Sequence, residues 1–185
     1  NDFDVTGNHG SQDILAVKLN LDGEIIWTKC FGGTLAEEGL SIIETSDGNF
    51  LIGGESQSFD GDLTMNYGAD DVFVMLIDSN GNLIWESTYG GSEEEDFGSM
   101  KITNANTIIV TGASRSNDFD IAVNKGFHDL LLLEVNLDGE ILSEYTYGSN
   151  KTDMGYGVIE ASNKSLIFGG RCGANNFDVS GYNGS

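Results

Sequence analysis

The chain has 185 residues, 39% of them hydrophobic, and carries 30 acidic against 8 basic side chains, for a net charge of −22. This length and apolar content suffice for one domain with a buried core, which excludes a disordered acidic tail. The carboxylate excess excludes nucleic acid and anionic membranes as partners, because both need clustered Lys and Arg. No apolar run approaches the roughly 20 residues that a membrane-spanning helix needs.

Strands are predicted along the whole chain, since its apolar runs are short, rich in Val, Ile, Leu and aromatic residues, and bounded by Gly, Asn and Asp. No stretch has helical periodicity, and there is no Pro, so we expect an all-β protein. The predicted strands are 13–20, 24–31, 39–46, 50–56, 71–78, 82–89, 97–104, 107–113, 129–136, 140–147, 155–162 and 165–171.

The central run of four strands, residues 39–89, shows how they connect. Asp47-Gly48 separates the first two strands and Asn80-Gly81 the last two. Both dipeptides are typical of tight hairpins, because Asn, Asp and Gly tolerate the positive φ of such turns. Two hairpins joined by one longer loop predict a four-stranded antiparallel meander.

This unit belongs to a tandem repeat of 58 residues. DGEIIWTKCFGG, which starts at Asp22, returns as NGNLIWESTYGG from Asn80 and as DGEILSEYTYGS from Asp138. The repeat units are approximately 1–58, 59–116 and 117–174, and a fourth starts at 175–185. Because the chain opens inside a unit, we expect a segment of a longer protein. We treat residues 1–185 as a single domain.

The repeated motif is a Gly-Gly at the end of the second strand, an acidic Gly-containing loop, and then D-[IV]-x-V-x-L-[DN]-x-[DN]-G-x-[IL]-x-W-x-x-x-[FY]-G-G. It resembles the tandem β-propeller repeat of large secreted bacterial surface proteins, and its strand order is similar to that of kelch blades. The resemblance covers essentially the whole chain. The third unit departs from this motif at two positions. Ser143 stands where the other units have Trp27 and Trp85, and Ser149 replaces the second Gly of the closing Gly-Gly.

The resemblance implies a partial β-propeller of two full blades flanked by two half blades. Propellers typically close with about 4–8 blades, so this segment cannot close a ring alone. The expected partners are therefore further blades, from the same parent chain or from another copy. The resemblance also implies an extracellular or cell-surface location.

The loops between the second and third strands of each blade carry the candidate metal site. Four polar positions recur at the same phase: Asp2, Asp4, Asn8 and Asp13; Asp60, Asp62, Asn66 and Asp71; Asp118, Asp120, Asn124 and Asp129. Alternate carboxylates with an amide oxygen and a Gly bend suit Ca²⁺, which takes 6–8 oxygen ligands. The alternative is that these Asp and Asn side chains only fold the loops through Asx turns. Acidic connections between blades are expected on the same face.

Catalysis finds little support in the sequence. Carboxylates occur throughout, only two Arg are present, and no nucleophile elbow or phosphate-binding Gly loop is found. Cys30 and Cys172 lie at different phases of the repeat, which favours two idle thiols over a disulfide. We therefore predict a non-enzymatic adhesion-type module that binds a protein or a glycan, with calcium-stabilised loops. The alternative is an accessory propeller domain of a secreted carbohydrate-active enzyme.

Overall fold

The computed structural model describes residues 7–181, which form twelve β-strands in antiparallel pairs. The strands are β1 (Ile14–Leu19), β2 (Ile25–Phe31), β3 (Glu37–Glu44), β4 (Phe50–Ser56), β5 (Asp71–Ile77), β6 (Leu83–Tyr89), β7 (Glu95–Ile102), β8 (Ile108–Ser114), β9 (Asp129–Val135), β10 (Ile141–Tyr147), β11 (Met154–Glu160) and β12 (Leu166–Arg171). The predicted all-β class is confirmed, and every strand lies within two residues of its predicted bounds.

The strands form two four-stranded sheets and two two-stranded sheets in chain order. β1 and β2 make the N-terminal half-sheet, β3–β6 make sheet I, β7–β10 make sheet II, and β11 and β12 make the C-terminal half-sheet. The register repeats with the sequence: Gly54 pairs with Phe73 in sheet I, and Gly112 with Leu131 in sheet II. The described strands do not close into a ring.

Two strands begin earlier than the sequence predicts. β3 starts at Glu37 and β7 at Glu95, each two residues before its predicted start. Glu37 pairs with Ser56 and Glu95 with Ser114, and both glutamates are buried. A buried Glu is rare, so the residue type gives no indication that the strands include these positions. Their carboxylates accept hydrogen bonds inside the fold, which permits the burial.

The core consists of apolar layers between neighbouring sheets. One layer packs Ile14 and Phe31 of the N-terminal half-sheet against Phe73 of sheet I, and the next packs sheet I against Phe97 of sheet II. Gly53 lies against the Phe97 ring, and a Cβ at this position would come within 2.7 Å of a ring carbon. The sheets therefore stack face to face at close range.

The outer-strand tryptophans connect one sheet to the next. Trp27 donates its indole N–H to the carbonyl of Ser79 at 3.2 Å, and Trp85 donates to the carbonyl of Leu137 at 3.1 Å. The two bonds are related by the 58-residue offset, so they recur as part of the unit. Ser143, at the third position, instead bonds Glu134 within sheet II.

Two further features bear on the predicted class of protein. Cys30 and Cys172 are free thiols, the first half-buried and the second exposed. Within residues 7–181, no helix has the length and apolar character needed to cross a membrane.

Candidate functional site

The candidate site is the loop face, formed by the loops 57–70 and 115–128, the connections 32–36, 90–94 and 148–153, and residues 172–181. Backbone hydrogen bonds join these segments: the N–H of Asp62 donates to Gly32, that of Asp120 to Gly90, and that of Asp178 to Gly148. The loops and the inter-sheet connections therefore lie on one side of the stack, as the meander predicts.

The first two of the four repeated polar positions hold each loop against the preceding connection. Asp60 accepts the N–H of Thr34 at 2.8 Å, and Asp118 accepts the N–H of Ser92 at 2.8 Å. Asp62 accepts the N–H of Gly32, and Asp120 that of Gly90, over 3.2 and 3.3 Å. Asp2 and Asp4, the same positions in the first loop, lie outside the described residues.

The third position ties the loop to its own sheet. Asn66 donates its amide N–H to the carbonyl of Ser56 at 2.9 Å, and Asn124 donates to that of Ser114 at 2.8 Å. The amide nitrogen thus donates to a strand carbonyl ten residues earlier, which fixes the loop on its sheet without forming an Asx turn. Asn8 lies exposed in the first loop.

The fourth position is a carboxylate held inside the fold. One carboxylate oxygen of Asp71 accepts the N–H of Tyr67, and Asp129 and Asp13 make the same contact with Lys125 and His9. The other oxygen, Oδ1, is buried without a hydrogen-bond partner in Asp13, Asp71 and Asp129. A recurring orphan acceptor of this kind is rare in folded proteins.

A second buried acid lies beside each of these aspartates. Next to Asp71 is Glu95, whose carboxylate accepts the N–H of Gly91 at 2.7 Å and the hydroxyl of Ser114 at 2.6 Å. Burial, and then the charge of Glu95, raise the pKa of Asp71 from its ordinary value of 3.8 to about 7. A Cβ at Gly90 would lie 2.2 Å from Asp71 Oδ1, so this pair requires a glycine opposite it.

The four polar positions of each loop therefore have different structural roles, and their side chains do not converge on one point. The first two accept backbone N–H groups from the preceding connection, the third donates to a strand carbonyl, and the fourth is buried. Among residues 7–181, no group of three or more His, Cys, Asp or Glu is placed to hold a metal ion. These contacts support the loop-folding alternative, and calcium binding stays a prediction.

Exposed aromatic side chains stand between these acids on the loop face. Phe59, Phe119, Phe127 and Phe177 are each more than 60% exposed. Phe119 and Phe177 also have positive φ, at 52°, a conformation that disfavours a bulky side chain. The ring of Tyr67 packs 5.1 Å from that of Phe119, measured between centroids.

The sequence analysis did not single out these phenylalanines. Phe119 and Phe177 share a phase at which the second unit has Gly61, whereas Phe59 stands where the other units have Asn1, Asn117 and Asn175. Phe127 stands where the other units have Ser11, Ala69 and Ser185, so an aromatic residue at an otherwise small position is the signal that the sequence offers. The regularity of the repeat drew attention to what the copies share.

Phe127 borders a polar groove of about 360 Å³ on the loop face. Glu93, Arg115 and Asn117 line the groove beside it. Arg115 is held by Glu94, with Nη1 and Oε2 3.1 Å apart. The groove thus combines one aromatic ring with an amide, a carboxylate and a guanidinium.

Comparison with known proteins adds no assignment. No protein-family model matches the chain, and a search of curated proteins found no match.

Proposed function

We propose that this chain is a segment of a β-propeller that acts as a non-enzymatic, secreted or cell-surface binding module, and that its loop face takes a neutral glycan. The observation that carries the proposal is the groove beside Phe127, where an exposed ring lies next to amide, carboxylate and guanidinium groups. Aromatic rings stack on the apolar faces of sugars, while planar polar groups bond their hydroxyls.

The charge of the chain supports a neutral ligand. A net charge of −22 repels acidic polysaccharides, as it repels other polyanions. A neutral sugar meets no such barrier, and the carboxylate of Glu93 offers it hydrogen-bond acceptors. A protein partner is the second possibility for the same surface, because exposed aromatic residues are enriched at protein interfaces.

The propeller part of the proposal is supported by the stack of repeated sheets. Each full sheet is a four-stranded meander that packs face to face on its neighbours, which is the arrangement of propeller blades. A groove of this chemistry would equally suit an accessory domain of a carbohydrate-active enzyme, in which catalysis belongs to another domain.

The test is binding of the purified chain to a panel of neutral oligosaccharides, with Phe127→Ala as the variant. We expect Phe127→Ala to weaken binding about tenfold, which corresponds to about 1.4 kcal/mol. Phe59→Ala is the matched control, because Phe59 is as exposed as Phe127 and lies outside the groove. Equal losses in the two variants, or no glycan binding by the unaltered chain, would contradict the proposal.

A further inference from the structure

A second groove, of about 420 Å³, lies between sheet I and sheet II and shares no lining residue with the groove beside Phe127. Its volume is within the range of about 300–1,000 Å³ that is typical of ligand pockets. Met65 and Tyr67 form part of its apolar wall. The described residues that line it include two acids, Glu86 and Asp120, and no Lys, Arg or His.

Two polar atoms of the residues that line this groove are buried without hydrogen-bond partners. One carboxylate oxygen of Glu86 accepts the N–H and the hydroxyl of Thr64, at 3.1 and 2.5 Å, but the other, Oε2, is buried with no partner. Thr88 is only 7% exposed, and its hydroxyl is likewise buried with no partner. Buried polar groups in folded proteins are normally hydrogen-bonded, so the groove has unused capacity for a polar ligand.

The third unit shows which group occupies the equivalent place. Lys125 stands one repeat after Tyr67. Its ammonium group donates to the carbonyl of Thr146 on β10 at 3.2 Å and to the carboxylate of Asp178 at 2.5 Å. In the third unit, an ammonium group of the chain itself therefore joins an outer-strand carbonyl to a loop carboxylate.

The second unit keeps both of these acceptors. Thr88 and Asp120 lie one repeat before Thr146 and Asp178. Asp120 accepts the N–H of Gly90 at 3.3 Å, a contact that Asp178 repeats with its own equivalent glycine. The carboxylate is thus held in the same way in both units, while a tyrosine replaces the lysine that would neutralise it.

The two carboxylates differ in their electrostatic surroundings. The hydrogen bond from Lys125 lowers the pKa of Asp178, whereas burial raises the pKa of Asp120. A half-buried carboxylate is stabilised by a cation that pairs with it and also hydrogen-bonds to it. The groove in the second unit therefore has acceptors and negative charge for a cation that donates hydrogen bonds.

We propose that the groove beside Glu86 and Asp120 binds a primary ammonium group, in the place that the side chain of Lys125 takes in the third unit. The carbonyl of Thr88 and the carboxylate of Asp120 accept two of its N–H groups, and Oε2 of Glu86 is an acceptor for the third. The apolar wall of the groove contacts the alkyl chain that carries the ammonium group. A free amine and a lysine side chain of a partner protein share this chemistry. The inference goes beyond the proposed glycan binding and is independent of it.

An NMR titration of the purified chain with n-butylammonium, at about pH 8 and constant ionic strength, tests the proposal. We expect a saturable shift of the amide resonance of Gly90, whose acceptor is Asp120, with a Kd in the millimolar range. Tetramethylammonium carries the same charge without N–H groups and should produce no such shift. Absence of a saturable shift with n-butylammonium, or equal shifts with both ions, would overturn the proposal.

Asp120→Asn tests the carboxylate. The variant keeps an oxygen for the N–H of Gly90 and loses the charge, so we expect n-butylammonium to bind about tenfold more weakly. Asp22→Asn is the matched control, because it removes the same charge from an exposed turn, and its affinity should equal that of the unaltered chain. Equal affinities in the two variants would show that only the net charge attracts the amine, and the proposed site would then be wrong.

Tyr67→Lys recreates the arrangement of the third unit. Its own ammonium group should occupy the groove, so n-butylammonium binding should be lost and the melting midpoint should rise by about 3 °C. Tyr67→Met removes the same ring without adding a charge, and this control should still bind the amine. Unchanged amine binding by a Tyr67→Lys variant with a native circular dichroism spectrum would contradict the proposal.

A peptide distinguishes the two sources of the ammonium group. Gly-Lys-Gly with an acetylated N-terminus and an amidated C-terminus carries an ammonium group only on its lysine side chain. Tighter binding of this peptide than of n-butylammonium would assign the groove to a lysine of a partner protein, and weaker binding would assign it to a free amine. Binding of either probe should be lost in Tyr67→Lys, and glycan binding, measured separately, does not depend on the result.

Discussion

Asp71 and Glu95 are buried side by side, and their carboxylates differ in their hydrogen bonds. Glu95 accepts hydrogen bonds from the N–H of Gly91 and the hydroxyl of Ser114. Asp71 has an oxygen with no donor, and a proton there would let it donate to its neighbour. The raised pKa of Asp71, about 7, agrees with this arrangement. A buried acid pair of this type links folding stability to pH.

The expected pH dependence follows from the sign of this shift. Because the folded-state pKa of Asp71 is above its ordinary value, its protonated form stabilises the fold below about pH 4, and this contribution is lost as the pH rises through about 7. Asp71→Asn mimics the protonated acid at every pH. We expect its melting midpoint to exceed that of the unaltered chain by about 5 °C at pH 8, with the difference shrinking toward pH 4.

Asp22→Asn is the control for this experiment, because it removes the same charge from an exposed turn. Its effect on the melting midpoint should be small at both pH values. A difference between Asp71→Asn and the unaltered chain that does not change with pH would show that Asp71 stays ionised in the fold.

At the level of the elements, the strands and hairpins could be predicted because their determinants are local. Each hairpin turn has a residue with positive φ, Gly48 in the first sheet and Asn106 in the second, as turn propensity requires. The loops could not be predicted in the same way. Asp60 bonds Thr34, 26 residues earlier, and no local spacing identifies such a partner. The sequence repeat identifies the equivalent positions of the three loops. The hydrogen-bond partners of those positions are known only from the three-dimensional structure.

The loop contacts give a prediction for Asp62→Ala. Loss of the bond from the Gly32 N–H should cost about 1 kcal/mol, lowering the melting midpoint by about 3 °C in EDTA. Asp22→Ala is the matched control, since it removes the same charge without a loop contact to the preceding connection. Its midpoint should stay near that of the unaltered chain.

Repeating both melts in millimolar Ca²⁺ tests the calcium prediction on the same loop. A bound ion stabilises the folded state by mass action, so the midpoint of the unaltered chain and of Asp22→Ala should rise. Asp62→Ala should show a smaller rise, because Asp62 is one of the predicted ligands. Equal rises in the two variants would show that calcium only screens charge, and the calcium prediction would then be wrong.

At the level of the whole molecule, an acidic surface opposes folding. The net charge of −22 is carried by a chain of 19.8 kDa. Repulsion among them destabilises the compact state, since unfolding moves the charges apart. The apolar layers between the sheets act against this repulsion. The free energy of unfolding should therefore increase with ionic strength, because salt screens the repulsion among carboxylates across the whole molecule.

This dependence is measured as the melting midpoint of the purified chain at two salt concentrations. Raising NaCl from 0.02 to 0.3 M shortens the Debye length from about 20 Å to below 10 Å and weakens repulsion between exposed carboxylates. We expect the melting midpoint to rise by about 5 °C, a gain of roughly 1–2 kcal/mol. Choline chloride should give the same rise as NaCl, because screening depends on ionic strength and not on the cation. A rise confined to NaCl would indicate a specific cation site, and an unchanged midpoint would show that the carboxylates are already neutralised by protons or by their hydrogen-bond donors.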